Sequence, residues 1–96
     1  MNSIKSVSIQ IGNSDNKLSQ KSWHLFVSCM QELIDTIRLD QHFFGGPANW
    51  EPWQNVCWMF TIFENNIPEM NRRVKKLREE YQQDSVAVMI GHTEFV

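Results

Sequence analysis

Between Val56 and Phe63 the chain reads Val-Cys-Trp-Met-Phe-Thr-Ile-Phe, an apolar run that begins near Trp53 and meets hardly a polar side chain. Its β-branched and aromatic content favours an extended strand over a short buried helix. Successive strand side chains point to opposite faces, so a run apolar at every position is apolar on both. Such a strand belongs in the middle of a sheet, covered above and below. Any fold for this chain has to be assembled around it.

Ser6-Val7-Ser8-Ile9-Gln10-Ile11 alternates strictly and predicts a first strand, with Val7, Ile9 and Ile11 turned to the core and Ser6, Ser8 and Gln10 away from it. Gly12 to Asn16 then favours a turn. Ser19 is an N-cap, with Leu18 and Trp23 in the two positions of a hydrophobic staple. Trp23, Phe26, Val27, Met30, Leu33 and Ile34 recur at helical spacing, while His24, Ser28, Gln31, Glu32 and Asp35 fall mostly on the wet side. Ile37–Phe44 reads as a second strand, closed by Gly45-Gly46-Pro47, and the third strand spans Trp53–Phe63. Asn66 caps a second helix with Pro68 in its first turn and Met70, Val74, Leu77 and Tyr81 as its apolar stripe. Ser85–Ile90 is the last strand, continuing through Gly91.

Ninety-six residues support one core, so residues 1–96 form a single domain. The order β-α-β-β-α-β is that of the ferredoxin-like α+β sandwich, a four-stranded antiparallel sheet with two helices on one face. In that topology the third strand lies between the first and second, and the fourth beside the first. One end of the sheet then gathers three separated polar segments. The residues arriving at this rim are Asn13 and Asp15, then Asn49, Trp53, Gln54 and Asn55, then Gln83, Asp84 and Ser85. They form a candidate ligand-binding pocket, against the plainer reading that these groups cap strand ends and tie down the loop after Phe44. The uncovered sheet face is a second candidate. It receives either Trp58 and Phe60 or Cys57, Met59 and Phe63. An apolar face of this kind suits pairing with a second copy, and Trp58, Met59, Phe60 and Phe63 are the candidate interface residues.

Other function classes lack their parts. The net charge is −2, which argues against a nucleic-acid binder; the cluster Arg72, Arg73, Lys75, Lys76 and Arg78 sits among Glu69, Glu79 and Glu80 and reads as a solvated helix face. His24, His42 and His92 have no metal-ligand spacing, and Gly45-Gly46 lacks a phosphate-loop context. Asp15 with Asp84 is a thin basis for acid–base chemistry. No catalytic residue, metal or cofactor is assigned. Cys29 and Cys57 are expected as buried free thiols in a reducing compartment. With neither a spanning apolar run nor a secretory leader pattern, the expectation is a cytoplasmic protein without a membrane partner.

The blocks Ile11-Gly12-Asn13-Ser14-Asp15, Pro52-Trp53-Gln54-Asn55-Val56-Cys57-Trp58, Gln83-Asp84-Ser85-Val86-Ala87 and Gly91-His92-Thr93-Glu94-Phe95 resemble those of a small uncharacterised family of short bacterial and phage-borne α/β proteins. The resemblance spans nearly the whole chain and implies that the rim blocks are a shared unit, without implying an activity. Its phage association implies a binder that neutralises a host defence component. The expected function is therefore a non-enzymatic binding or interaction protein that forms a homodimer and contacts a protein partner. The alternative is a small-ligand-binding or sequestering protein, or small enzyme, that uses the rim.

Overall fold

The computed structural model describes residues 3–13, 15–47 and 54–96. Strand β1 (Ile4–Gly12), helix α1 (Gln20–Ile37), strands β2 (Gln41–Gly45) and β3 (Asn55–Phe63), helix α2 (Ile67–Glu80) and strand β4 (Ala87–Gly91) follow in that order, with a 3-10 turn at Glu64–Asn66. The strands make one sheet in the order β2-β3-β1-β4, and every adjacent pair is antiparallel. This is the ferredoxin-like α+β arrangement, with the central position of β3 as its apolar run requires.

Register fixes which side chains enter the core. Val7 pairs with Phe60, Ile9 with Trp58 and Ile11 with Val56, so all six point to the helices, and all six are buried. From α1 the predicted stripe Trp23, Phe26, Val27, Met30, Leu33 and Ile34 is buried in full, and α2 adds Met70, Val74 and Leu77. Trp23 meets Phe26 edge-on at 6.3 Å, and Phe26 stacks on Tyr81 at 4.9 Å. Ser19 caps α1 by accepting the Ser22 N–H, which satisfies one of the donors a helix start leaves open.

Several boundaries differ from the sequence reading. Ile37 ends α1 instead of starting a strand, because the apolar spacing from Leu33 and Ile34 carries the helix one more turn before Arg38 N–H closes on Ile34 O. β2 therefore starts at Gln41, and an irregularity between Gln41 and Phe43 shifts its register on β3. β4 starts at Ala87 instead of Ser85. Asn66 precedes α2 without a side-chain cap bond, since the 3-10 turn already leads the backbone into the helix. Gln31, placed on the wet side by periodicity, is half-buried: its Oε1 accepts the Trp58 indole N–H at 2.7 Å. Its Nε2 donates to Gln41 Oε1 at 2.7 Å. A large buried indole needs such a partner, and this one ties α1 to the edge strand β2.

Tyr81 closes the far end of the core with its hydroxyl 3.6 Å from Cys29 Sγ. That bond, followed by burial, pushes its phenol up to about 12. A group whose proton is held more tightly in the folded chain contributes stability below its unfolded pKa, roughly 10, and loses it as pH rises through the folded value. Tyr81 is the only tyrosine, so absorbance near 295 nm follows it alone. The folded protein is expected to titrate near 12 and the urea-unfolded chain near 10. Equal midpoints would remove the Cys29 contact from this account.

Candidate functional site

The antiparallel pairing of Gly12 with Asn55 and of Gln10 with Ala87 brings the end of β1 and the starts of β3 and β4 to one rim. The structure divides the predicted rim residues into two groups. Asn13 is fully buried and serves the loop. Its Nδ2 donates to Leu18 O at 3.0 Å and to Gln54 Oε1 at 3.1 Å, and its Oδ1 accepts the Leu18 N–H at 2.9 Å. Gln54 in turn donates from Nε2 to Asn16 Oδ1 at 3.2 Å. Asn16 holds a left-handed backbone with φ of 54°, which Asn tolerates better than most residues. These two amides are a staple between the β1–α1 loop and the start of β3, and a ligand has no free atom of Asn13 to reach.

Removing that staple has a defined consequence. Asn13→Ala deletes three bonds and leaves the Leu18 N–H and carbonyl without their partner, at an expected loss of about 2–4 kcal/mol. Urea denaturation of the variant measures it, and a loss below about 0.5 kcal/mol would show that water replaces the amide without penalty.

The second group surrounds a cavity of about 420 Å³, lined by Asp15, Asn55, Asp84 and Ser85 together with Gln10, Gly12, Cys57 and Gln83. Sequence reasoning brought Gln83 to this rim but missed Gln10, Gly12 and Cys57. Cys57 follows from the register, since it shares the open-face parity of Asn55 and Met59. Gly12 lacks the side chain that would collide here: a Cβ on it would stand 2.7 Å from Asn55 Oδ1. Asp15 Oδ1 also accepts the Lys17 N–H at 3.0 Å, a local turn contact. Asp84 is exposed and lies 3.6 Å from Lys17 Nζ, a surface pair of small energetic weight. Asn49 and Trp53 lie outside the described residues.

The candidate interface residues also divide. Trp58 and Phe60 are buried beneath the helices, which removes them from the open face; the one-residue alternation of a strand permits no other outcome once Val56 and Ile62 face the core. Phe44 flanks Trp58 with ring centroids 5.5 Å apart. Met59 stands on the uncovered face and is 48% exposed, and Phe63 stands there half-buried. The same face carries Ile4, Phe43 and Met89, all exposed, which sequence reasoning did not single out. A groove of about 690 Å³ crosses it from His42 past Met59 and Ile4 to Met89 and the segment after β4, where Phe95 borders it. The expectation that β3 is covered on both sides thus fails for one side: its burial alternates along its whole length, because both helices pack on the other face.

Charge is dispersed. Arg72 pairs with Glu69, and this hydrogen bond holds the Glu69 carboxyl below its ordinary value and the Arg72 guanidinium above. Arg73 donates to Thr36 Oγ1, and Arg78 donates to Gln83 O at 3.0 Å, steadying the loop that supplies the rim. Among the described residues no group of three or more His, Cys, Asp or Glu is placed to hold a metal ion, and no helix is long and apolar enough to cross a membrane.

No protein-family model matches the sequence, and no curated protein matches it. Among solved structures the chain is similar to a dimeric ferredoxin-like protein from an uncultured marine organism, with a TM-score of 0.51 and 12% identity, over 100% of this chain and 93% of that one. At that identity the likeness concerns architecture, and it agrees with the strand order and helix placement above: the chain adopts a ferredoxin-like α+β fold.

Proposed function

We propose that the protein is a non-enzymatic interaction module that works as a homodimer, its two copies meeting through the open sheet face. One observation carries this reading. Opposite its buried Val56, Trp58, Phe60 and Ile62, β3 turns Cys57, Met59 and Phe63, with Thr61 between the last two, to a face that no element of a single chain covers. A second copy supplies the missing cover without any further component, by the isologous packing that two-fold dimers use. The similar structure is described as dimeric, which accords with this reading. The rim cavity borders that same face through Gln10, Asn55 and Cys57, and the exposed Asp15 and Asp84 at its outer edge are the polar groups that each copy offers a protein partner. We extend the proposal to the role that the sequence resemblance implies, a phage-type inhibitor acting on a host defence component in the cytoplasm.

A second reading has its own observation, the polar cavity at the rim, which suits a small ligand with hydrogen-bonding groups. Native mass spectrometry in gentle and then denaturing buffer separates the two. Paired subunits without added mass support the interaction module. Added mass that leaves on denaturation supports a rim ligand. In that case Asp15→Asn with Asp84→Asn is expected to weaken retention at least about tenfold while leaving the fold intact, as both carboxylates are exposed. Undiminished retention in the double variant would take the carboxylates out of the site.

A further inference from the structure

We propose that the segment after β4 is a clasp, in which Phe95 of each copy packs into the open-face groove of the other. This inference rests on the self-association reading and specifies how it is completed. After Gly91 the chain leaves the sheet without ending its contact with it: the Thr93 and Ser6 hydroxyls are hydrogen-bonded, which places the segment over the open face. Phe95 then borders the groove but is 94% exposed. A large aromatic ring is thus held beside an apolar trough that its own chain leaves unfilled.

Area argues for a crossing arm. Strands of nine and five residues, at roughly 3.3 Å per residue and 4.8 Å between neighbours, give the sheet a footprint of roughly 450 Å². Each partner in a standard stable interface loses roughly 800 Å². Side chains give the face more accessible area than this flat footprint, but Ser6 and Ser8 take up part of it, and an aromatic side chain burying roughly 150–250 Å² from each copy brings the pair closer to a standard interface. Two-fold symmetry requires that each copy both give and receive a ring. The groove offers Met59 and Met89 as its lining, and unbranched thioether side chains adapt readily to an inserted ring.

The test uses the full chain. Phe95→Ala is expected to keep the circular dichroism spectrum and thermal midpoint of the parent, since the ring is exposed in one copy. Its dimer dissociation constant is expected to rise by about thirtyfold or more, as for a buried aromatic anchor. Crossing is read by mixing ordinary chains carrying a photoreactive benzoylphenylalanine at position 95 with ¹⁵N-labelled chains. Cross-links from light chains to heavy peptides containing Met59 or Met89 support the clasp. A dimer of parental strength in Phe95→Ala, or cross-links confined to single chains, would overturn the clasp and leave the sheet-face dimer standing. A parent protein that is monomeric overturns both.

Discussion

Trp58→Ala is expected to unfold much of the protein instead of loosening an interface. The ring is wholly buried, packs 5.5 Å from Phe44, and donates its indole N–H to Gln31 at 2.7 Å. Truncating a buried aromatic to alanine costs about 3–5 kcal/mol through lost transfer energy and the cavity left behind. Gln31 Oε1 then loses its donor, adding about 1 kcal/mol. Small domains hold only about 5–15 kcal/mol in total, so the variant is marginal, with a thermal midpoint lowered by roughly 15–50 °C. Urea denaturation followed by circular dichroism measures the loss. A loss below about 1 kcal/mol would mean that the ring does not fill the core as described.

Met59→Asp, one residue along the same strand, is expected to do the reverse. Met59 is about half exposed and faces away from the helices, so the isolated subunit keeps its stability to within about 1 kcal/mol. In the dimer a carboxylate replaces apolar contact on both copies, because a two-fold interface repeats every substitution. Desolvating an unpaired charge is costly, and the dissociation constant is expected to rise by about a hundredfold or more. Light scattering coupled to size exclusion reads this directly. A folded Met59→Asp protein with undiminished dimerisation would place the interface elsewhere.

The opposite fates of these neighbours show what the sequence made legible. The alternation of Val7, Ile9 and Ile11 and the stripe from Trp23 to Ile34 identify their buried faces, since periodicity encodes orientation when one face is polar. Trp58 and Met59 give no such contrast. A run apolar on both sides leaves the parity open, and only pairing Ile9 with Trp58 and Ser8 with Met59 resolves it. The burial of Gln31 depends on the indole across the core, which a helical period cannot register. At the rim, topology predicted which segments converge, and Asp15, Asn55, Asp84 and Ser85 do share a cavity. Asn13 and Gln54 serve the loop instead, a distinction carried by hydrogen-bond geometry and not by residue type. Met89 and Phe95 come into view only through the pairing of Ser8 with Met89 and the Thr93–Ser6 bond, which set them at the open face.

The measurement that bears most directly on the central claim is sedimentation velocity of the unaltered chain over about 1–100 μM, the range in which a modest interface of this kind dissociates. The expected result is a dimer that gives way reversibly to monomer on dilution, with the transition displaced to much higher concentration by Met59→Asp. A single monomeric species at every concentration would contradict it, and would leave the uncovered side of β3 as a surface for some other partner.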